Sequence, residues 1–180
     1  MRTAELLRDL AADADLIITS GGMAAGDEDH TRRALEDAGG SWQRIALNMR
    51  PGKPAGLGRI GRTVVLGLPG NPFAALVALL VLGVPILDTL TGCRRTVRWA
   101  KATCATELEG TAARTEFFPA RMVGHDPSGN PVLERLGKGG SARLQPLVEA
   151  EGLARVNVRP GTSRGTQAIE YLSFAELLAL

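Results

Sequence analysis

Apolar positions recur at helical spacing in the first half of the chain and gather into short β-leaning runs in the second. Leu6, Leu7, Leu10 and Ala11 share a face, predicting a helix over residues 3–12. Asp15 to Thr19 predicts a short buried strand, Trp42 to Leu47 a second, and Thr63 to Leu68 a third. The acidic cluster Asp27-Glu28-Asp29 suits a helix start, and Gly39-Gly40 is a left-handed stop for that helix. Asn71 as N-cap and Pro72 at the first helical position open an apolar helix over Phe73–Leu82. The whole apolar stretch, Phe73 to Leu87, is too short to span a bilayer and carries Gly83 and Pro85, so it predicts a buried helix.

The texture changes after Gly92. Val97–Leu108, Glu116–Val123, Pro131–Leu136, Ala154–Val158 and Gln167–Leu172 read as strands. Turn clusters separate them, among them Asp126-Pro127-Ser128-Gly129-Asn130 and Arg159-Pro160-Gly161. Short strands at that spacing predict a small β-barrel or sandwich. The expected division is therefore an α/β domain over residues 1–92 and a β domain over 93–180. About three strands is few for a doubly wound sheet, which averages roughly five or six. The expectation is that a first strand and its helix lie upstream, in a longer protein or a partner chain.

Two glycine turns sit where such a sheet presents ligands. Thr19-Ser20-Gly21-Gly22 follows Leu16-Ile17-Ile18, and Leu68-Pro69-Gly70-Asn71-Pro72 follows Val64-Val65-Leu66. Strand, glycine turn and helix bring backbone N–H groups and a positive helix end to an anion. In one parallel sheet both turns lie at carboxyl ends of strands, where α/β sheets bind ligands. Between them Arg50-Pro51-Gly52-Lys53-Pro54 fixes two cations beside a stiff turn; Arg grips phosphate bidentately and Lys acts as a point charge. The set predicts a pocket for a small phosphorylated molecule.

Charge sharpens this only modestly. Net charge is +2, which makes no case for nucleic acid, but residues 1–40 hold 4 Lys/Arg against 9 Asp/Glu and residues 41–92 hold 5 against 1. Asp29, with Asp27 and Glu28 as rivals, is the acid best suited to Mg²⁺, which takes one or two carboxylates plus phosphate oxygens. The alternative role for each is helix capping in water. Two cysteines without a Cys-x-x-Cys pattern argue against a disulfide scaffold or zinc site and fit a reducing cytoplasm. With only His30 and His125, no Ser/His/Asp or Cys/His set can be assembled. That points to metal and positioning acting on a phosphate bond.

Asp15 to Thr31 (DLIITSGGMAAGDEDHT), Arg50 to Gly58 (RPGKPAGLG) and Leu66 to Ala75 (LGLPGNPFAA) resemble, in order, three signatures of the molybdopterin molybdenumtransferase family, which includes gephyrin's E domain. Arg114 to Arg121 (RTEFFPAR) and Gly139-Gly140-Ser141 resemble its C-terminal β-barrel domain. The resemblance covers essentially the whole chain. It implies a partial three-layer αβα molybdopterin-binding domain followed by a small β-barrel, as the C-terminal half of such an enzyme. It further implies release of AMP from adenylylated molybdopterin, with Mg²⁺, as molybdate enters the dithiolene. By position, Thr19, Ser20, Gly21, Gly22 and Gly26 would contact the pterin or its phosphate. Asp29 and Lys53 would be catalytic, with Asp29 also a metal ligand. Arg50, Pro51, Gly52, Pro69, Gly70, Asn71 and Pro72 would line the pocket, with Arg114 and Ser141 approaching from the β domain. Full-length members have two further N-terminal domains, which make most of a homodimer and help complete the active site. Here a separately encoded N-terminal half is the matching expectation. Ala24 stands where a serine is common, Arg50 where lysine is usual, and the family's Thr-Gly-Asp-Glu segment has no counterpart. A non-catalytic molybdopterin-binding module, or an inactive fragment, is the alternative reading. Neither nucleic acid nor membrane is expected as a partner.

Overall fold

The computed structural model describes residues 2–21, 30–93, 97–105, 108, 114–137, 144–158 and 169–178. It divides into two compact units, Met1–Leu47 with Gly52–Arg94, and Asn48–Pro51 with Arg95–Leu180. Residues 48–51 therefore fold with the second unit, although they lie within the 1–92 span read as one domain.

In the first unit, helix α1 (Arg2–Asp13) leads into strand β1 (Leu16–Ser20), and helix α2 (His30–Asp37) into β2 (Ser41–Ala46). After the two-residue strand β3 (Met49–Arg50) come β4 (Pro54–Ile60) and β5 (Thr63–Leu68). The sheet order is β1-β5-β4-β2. Only β1 and β5 run parallel; β5 with β4 and β4 with β2 are antiparallel, so the sheet is mixed. Strand β4 is the element the sequence hid, because Pro54, Gly56 and Gly58 read as turn residues. Gly58 has a packing reason: a Cβ there would stand 2.5 Å from both the Ser41 carbonyl oxygen and Leu35 Cδ2. Glycine lets the strand approach both neighbours.

Successive residues of a strand face opposite sides, and β5 uses both. Val65 joins Ala4, Leu7, Ile17, Ala34, Leu35 and Ala38 in a core under α1 and α2. Leu66 points to the other face, where a Cβ on Gly83 would lie 3.4 Å from it. Fully buried Thr63 ties the layers, its hydroxyl in reach of the Ala11 and Ala14 carbonyls at 3.0 and 2.7 Å. Those are carbonyls at the end of α1 that no helical N–H satisfies.

Helix α3 (Pro72–Ala78), a π turn (Leu79–Gly83) and α4 (Val84–Thr91) form one run. It extends past Leu82, the expected end of the helix, and through Gly83 and Pro85. A proline lacks the N–H and crowds the preceding turn; the wide turn, with Val84 N donating to Leu79 O, sits immediately before it and lets the helix continue. Pro72–Thr91 is thus 20 residues long with a hydropathy of 2.3, enough by length and composition to cross a membrane, and 28% of that apolar window is buried. Phe73, Ala74, Val77 and Ala78 of α3 are buried, whereas α4 buries no residue. The expected short, buried helix is therefore longer, and only its first part is buried.

The second unit is a barrel of β6 (Ala100–Cys104), β7 (Arg114–His125), β8 (Pro131–Arg135), β9 (Gly152–Val158) and β10 (Ile169–Ser173), with short helices α5 (Gln145–Val148) and α6 (Phe174–Leu178). The order β7-β8-β6-β10-β9 closes because β9 also pairs with β7. The long β7 serves both partners by pairing with β9 through residue 120 and with β8 beyond it, with a bulge between Met122 and Gly124. Bulges bend a strand and raise its twist, as closure requires. The interior holds Ala102, Phe118, Ala120, Leu133, Ala154, Val156, Ile169 and Tyr171. Small and large side chains together fill so narrow a barrel. Strand β3 adds to β7 in parallel, Met49 opposite Thr115 and Arg50 opposite Glu116.

Candidate functional site

The parallel register of β1 and β5 runs from Leu16 opposite Val64 to Ser20 opposite Leu68. Both glycine turns therefore leave the sheet at the same level. Gly21 takes φ +86°, a left-handed conformation open to glycine, and its N–H donates to Leu68 O at 3.0 Å. The Ser20 hydroxyl donates to Pro69 O at 3.4 Å, and a Cβ on Gly70 would lie 3.4 Å from Gly21 Cα. The Thr31 hydroxyl, in the first turn of α2, donates to Gly21 O at 3.4 Å. Three elements thus converge on Gly21.

This geometry alters the expected donor set. A nest of successive N–H groups from Ser20, Gly21 and Gly22 does not have Gly21 to offer, because the β ladder continues one bond past the strand and uses its N–H. At the second turn Asn71 caps α3, its Oδ1 accepting from Ala74 N at 3.0 Å, and Pro72 has no N–H. Fewer bare donors remain at this helix start than its sequence suggests. One orphan stands out: Thr19 Oγ1 is buried and has no hydrogen-bond partner among the described residues. A buried hydroxyl without a partner costs about 1–3 kcal/mol, and a ligand atom at the end of β1 is one way to satisfy it. Gly22, Gly26 and Asp29 lie outside the described residues, as does Ser141.

Arg50 and Arg114 form a second group, in the barrel unit. Arg114 Nε and Nη2 donate to Glu116 Oε1 at 3.3 and 3.2 Å, and Arg50 Nη1 stands 4.0 Å from the same oxygen. Positions 114 and 116 share a face of β7, and β3 delivers Arg50 opposite Glu116. The Glu116 side chain is 9% exposed and Arg50's 61%. Glu116 was not among the expected site residues; the Arg-x-Glu alternation within RTEFFPAR is the signal that could have found it. The cluster keeps a surplus positive charge, with Arg50 open to solvent. The Arg50–Pro51 peptide is cis and Gly52 has φ +102°. Leu47 N donates to Lys53 O at 3.0 Å, closing the base of this excursion, and Lys53 is exposed. Trp99 stacks under the Arg155 guanidinium at 4.3 Å and meets Phe117 edge-on.

Among the described residues no group of three or more His, Cys, Asp or Glu side chains could hold a metal. Mg²⁺ needs no such cage, since ligand phosphates and one or two carboxylates suffice.

Comparison with known proteins adds a family. Residues 1–89 match the family described as a probable molybdopterin binding domain, and residues 101–168 match the MoeA C-terminal region, domain IV. The molybdopterin molybdenumtransferase of Haemophilus influenzae is 36% identical over 112 residues, covering 59% of this chain and 26% of that protein. The molybdenum cofactor synthesis protein cinnamon of Drosophila melanogaster is 30% identical over 176 residues, 91% of this chain and 28% of its own. The chain thus spans only about a quarter of the length of these relatives. A solved molybdopterin biosynthesis MoeA protein from Pyrococcus horikosii shares the fold with a TM-score of 0.67, at 24% identity over 94% of this chain and 40% of that one. Two consecutive family domains, over residues 1–89 and 101–168 and carried on the motifs described above, leave one assignment: the chain belongs to the molybdopterin molybdenumtransferase family and spans part of its length.

Proposed function

We propose that this chain binds adenylylated molybdopterin at the paired turns of β1 and β5 and acts in molybdenum insertion, with molybdate as the second substrate and AMP as the released product. The observation that carries this reading is the interlocking of the two turns through Gly21, with the unpartnered Thr19 hydroxyl beside them. Thr19, Ser20 and Gly70 would position the pterin phosphate, and Pro69 and Pro72 would stiffen the cradle. The exposed ammonium of Lys53 and the guanidinium of Arg50 suit anionic groups, either phosphate or molybdate. Asp29 would orient the phosphoanhydride for attack by an oxygen nucleophile, the bond to AMP breaking and AMP leaving with the bridging oxygen. Mg²⁺, when bound by Asp29 and substrate phosphates, would neutralise charge on them. Homodimerisation and a cytoplasmic site of action belong to the same proposal, the latter in keeping with free Cys93 and Cys104.

The test is AMP release from adenylylated molybdopterin by the purified chain, with molybdate and Mg²⁺ each supplied or withheld. The expected result is release that requires both. The alternative is a module that binds without turnover. A folded sample that binds the substrate but releases no AMP would select that reading.

A further inference from the structure

One end of the barrel opens into a cavity of about 510 Å³ that plays no part in the site above. Its walls come from four strands and the approach to the fifth: Ala100 begins β6, Pro131 begins β8, Met122 lies on β7, Tyr171 and Ser173 lie on β10, and Glu151 immediately precedes β9. Ala175 and Glu176 of α6 complete the rim. The mouth of a small barrel is a common place for a ligand.

Its chemistry is one-sided. The two charged groups lining it, Glu151 and Glu176, are both carboxylates. Glu151 uses Oε2 to accept from Met122 N at 3.0 Å, which fixes the side chain and leaves Oε1 available. Arg121, whose charge is felt by Glu151, is held by Glu134 at 2.7 Å. Tyr171 lines the same mouth, its residue surface only 6% exposed. A Cβ on Gly152 would collide with its ring at Cε2 and Cζ, 2.6 and 2.7 Å away, so glycine at 152 makes room for the phenol end. Burial, then Glu151 and Glu176, raise the Tyr171 pKa, which keeps the phenol protonated. With Tyr171 in its lining, the cavity offers a ligand two carboxylates and a phenol oxygen as its polar side-chain groups beside the Ser173 hydroxyl.

We propose that this barrel mouth binds an organic cation, an ammonium or guanidinium carried on an aliphatic body. The carboxylates take the charge through charge-assisted hydrogen bonds. Ala100, Met122, Pro131 and Ala175 cover the aliphatic part, and the Tyr171 oxygen accepts a remaining N–H. The volume and the carbon walls suit an organic ligand far better than a bare metal ion.

The test titrates the full chain with agmatine and, separately, with an acetylated and amidated Arg-Arg peptide, by calorimetry, with hexanoate as the anionic control. The prediction is saturable binding of at least one cation and none of hexanoate. Glu176→Gln, on the exposed face of α6, should weaken binding about tenfold, and Tyr171→Phe severalfold with the barrel's melting transition retained. Stronger binding of agmatine assigns the mouth to a free small molecule, and stronger binding of the peptide to a basic side chain of a protein. Absence of saturable binding, equal binding of hexanoate, or wild-type affinity in Glu176→Gln overturns the proposal.

Discussion

Asp29→Ala is expected to reduce AMP release from adenylylated molybdopterin at least about a hundredfold, in this chain or in a full-length transferase context, without lowering thermal stability. A positioned acid or base contributes roughly 10²–10⁴ in rate, so removing one reaches this size even when binding survives. The residue follows a glycine turn and precedes α2 in the sequence, and the proposed function gives it the role of the active-site aspartate. The described residues on either side of its segment are tied together, since Thr31 donates to Gly21 O. Asp27→Ala and Glu28→Ala separate a specific role from general acidity and should retain most of the rate. Undiminished turnover in Asp29→Ala would remove the residue from the mechanism.

Phe118→Ala is expected to cost the barrel about 3–5 kcal/mol, the usual range for a buried Phe. Phe118 is 1% exposed, at the centre of the barrel core, with the Arg135 guanidinium 5.1 Å from its ring centroid. Domains are stable by only about 5–15 kcal/mol, so most of the barrel's margin is at stake. Because the chain forms two compact units, urea unfolding followed by probes in each should resolve the effect. Trp99 reports on the barrel unit and Trp42 on the first, each read with the other replaced by Phe. The Trp99 midpoint should fall by at least roughly 1 M urea while the Trp42 midpoint holds. An unchanged Trp99 midpoint would mean that the barrel interior is not packed around Phe118.

Much of this architecture is legible in the sequence for identifiable reasons. The runs LIITS and TVVLGL are apolar and bounded by glycine turns, and Asn71-Pro72 carries a helix start whose cap forms as expected. The five β-leaning runs after Gly92 correspond to β6 through β10, because polar turn clusters mark their ends. Strand β4 is not legible in local pattern because Gly58 is there for close packing against Leu35, Ser41 and Trp42, a tertiary reason. The pairing of β3 with β7 joins residues about 65 apart in sequence, and such non-local contacts leave no periodic trace. The helix runs on past Leu82 and through Pro85 because a π turn, which hydropathy does not show, precedes the proline. At the site, the motifs located the turns but not their hydrogen bonds. The Gly21 N–H was assigned to a ligand and is used by Leu68, whereas Glu116 was overlooked and organises both arginines.

The most direct measurement is equilibrium binding of adenylylated molybdopterin to the folded chain, compared with Gly70→Val. A valine at position 70 brings its Cβ to 3.4 Å from Gly21 Cα and sets two further methyl groups at the seam of the two turns, where the proposed site needs bare backbone. The account predicts saturable binding by the wild-type chain, weakened at least tenfold, or about 1.4 kcal/mol, in the variant. No saturable binding by a folded wild-type chain, or undiminished affinity in Gly70→Val, would contradict the assignment of the ligand to the paired turns of β1 and β5.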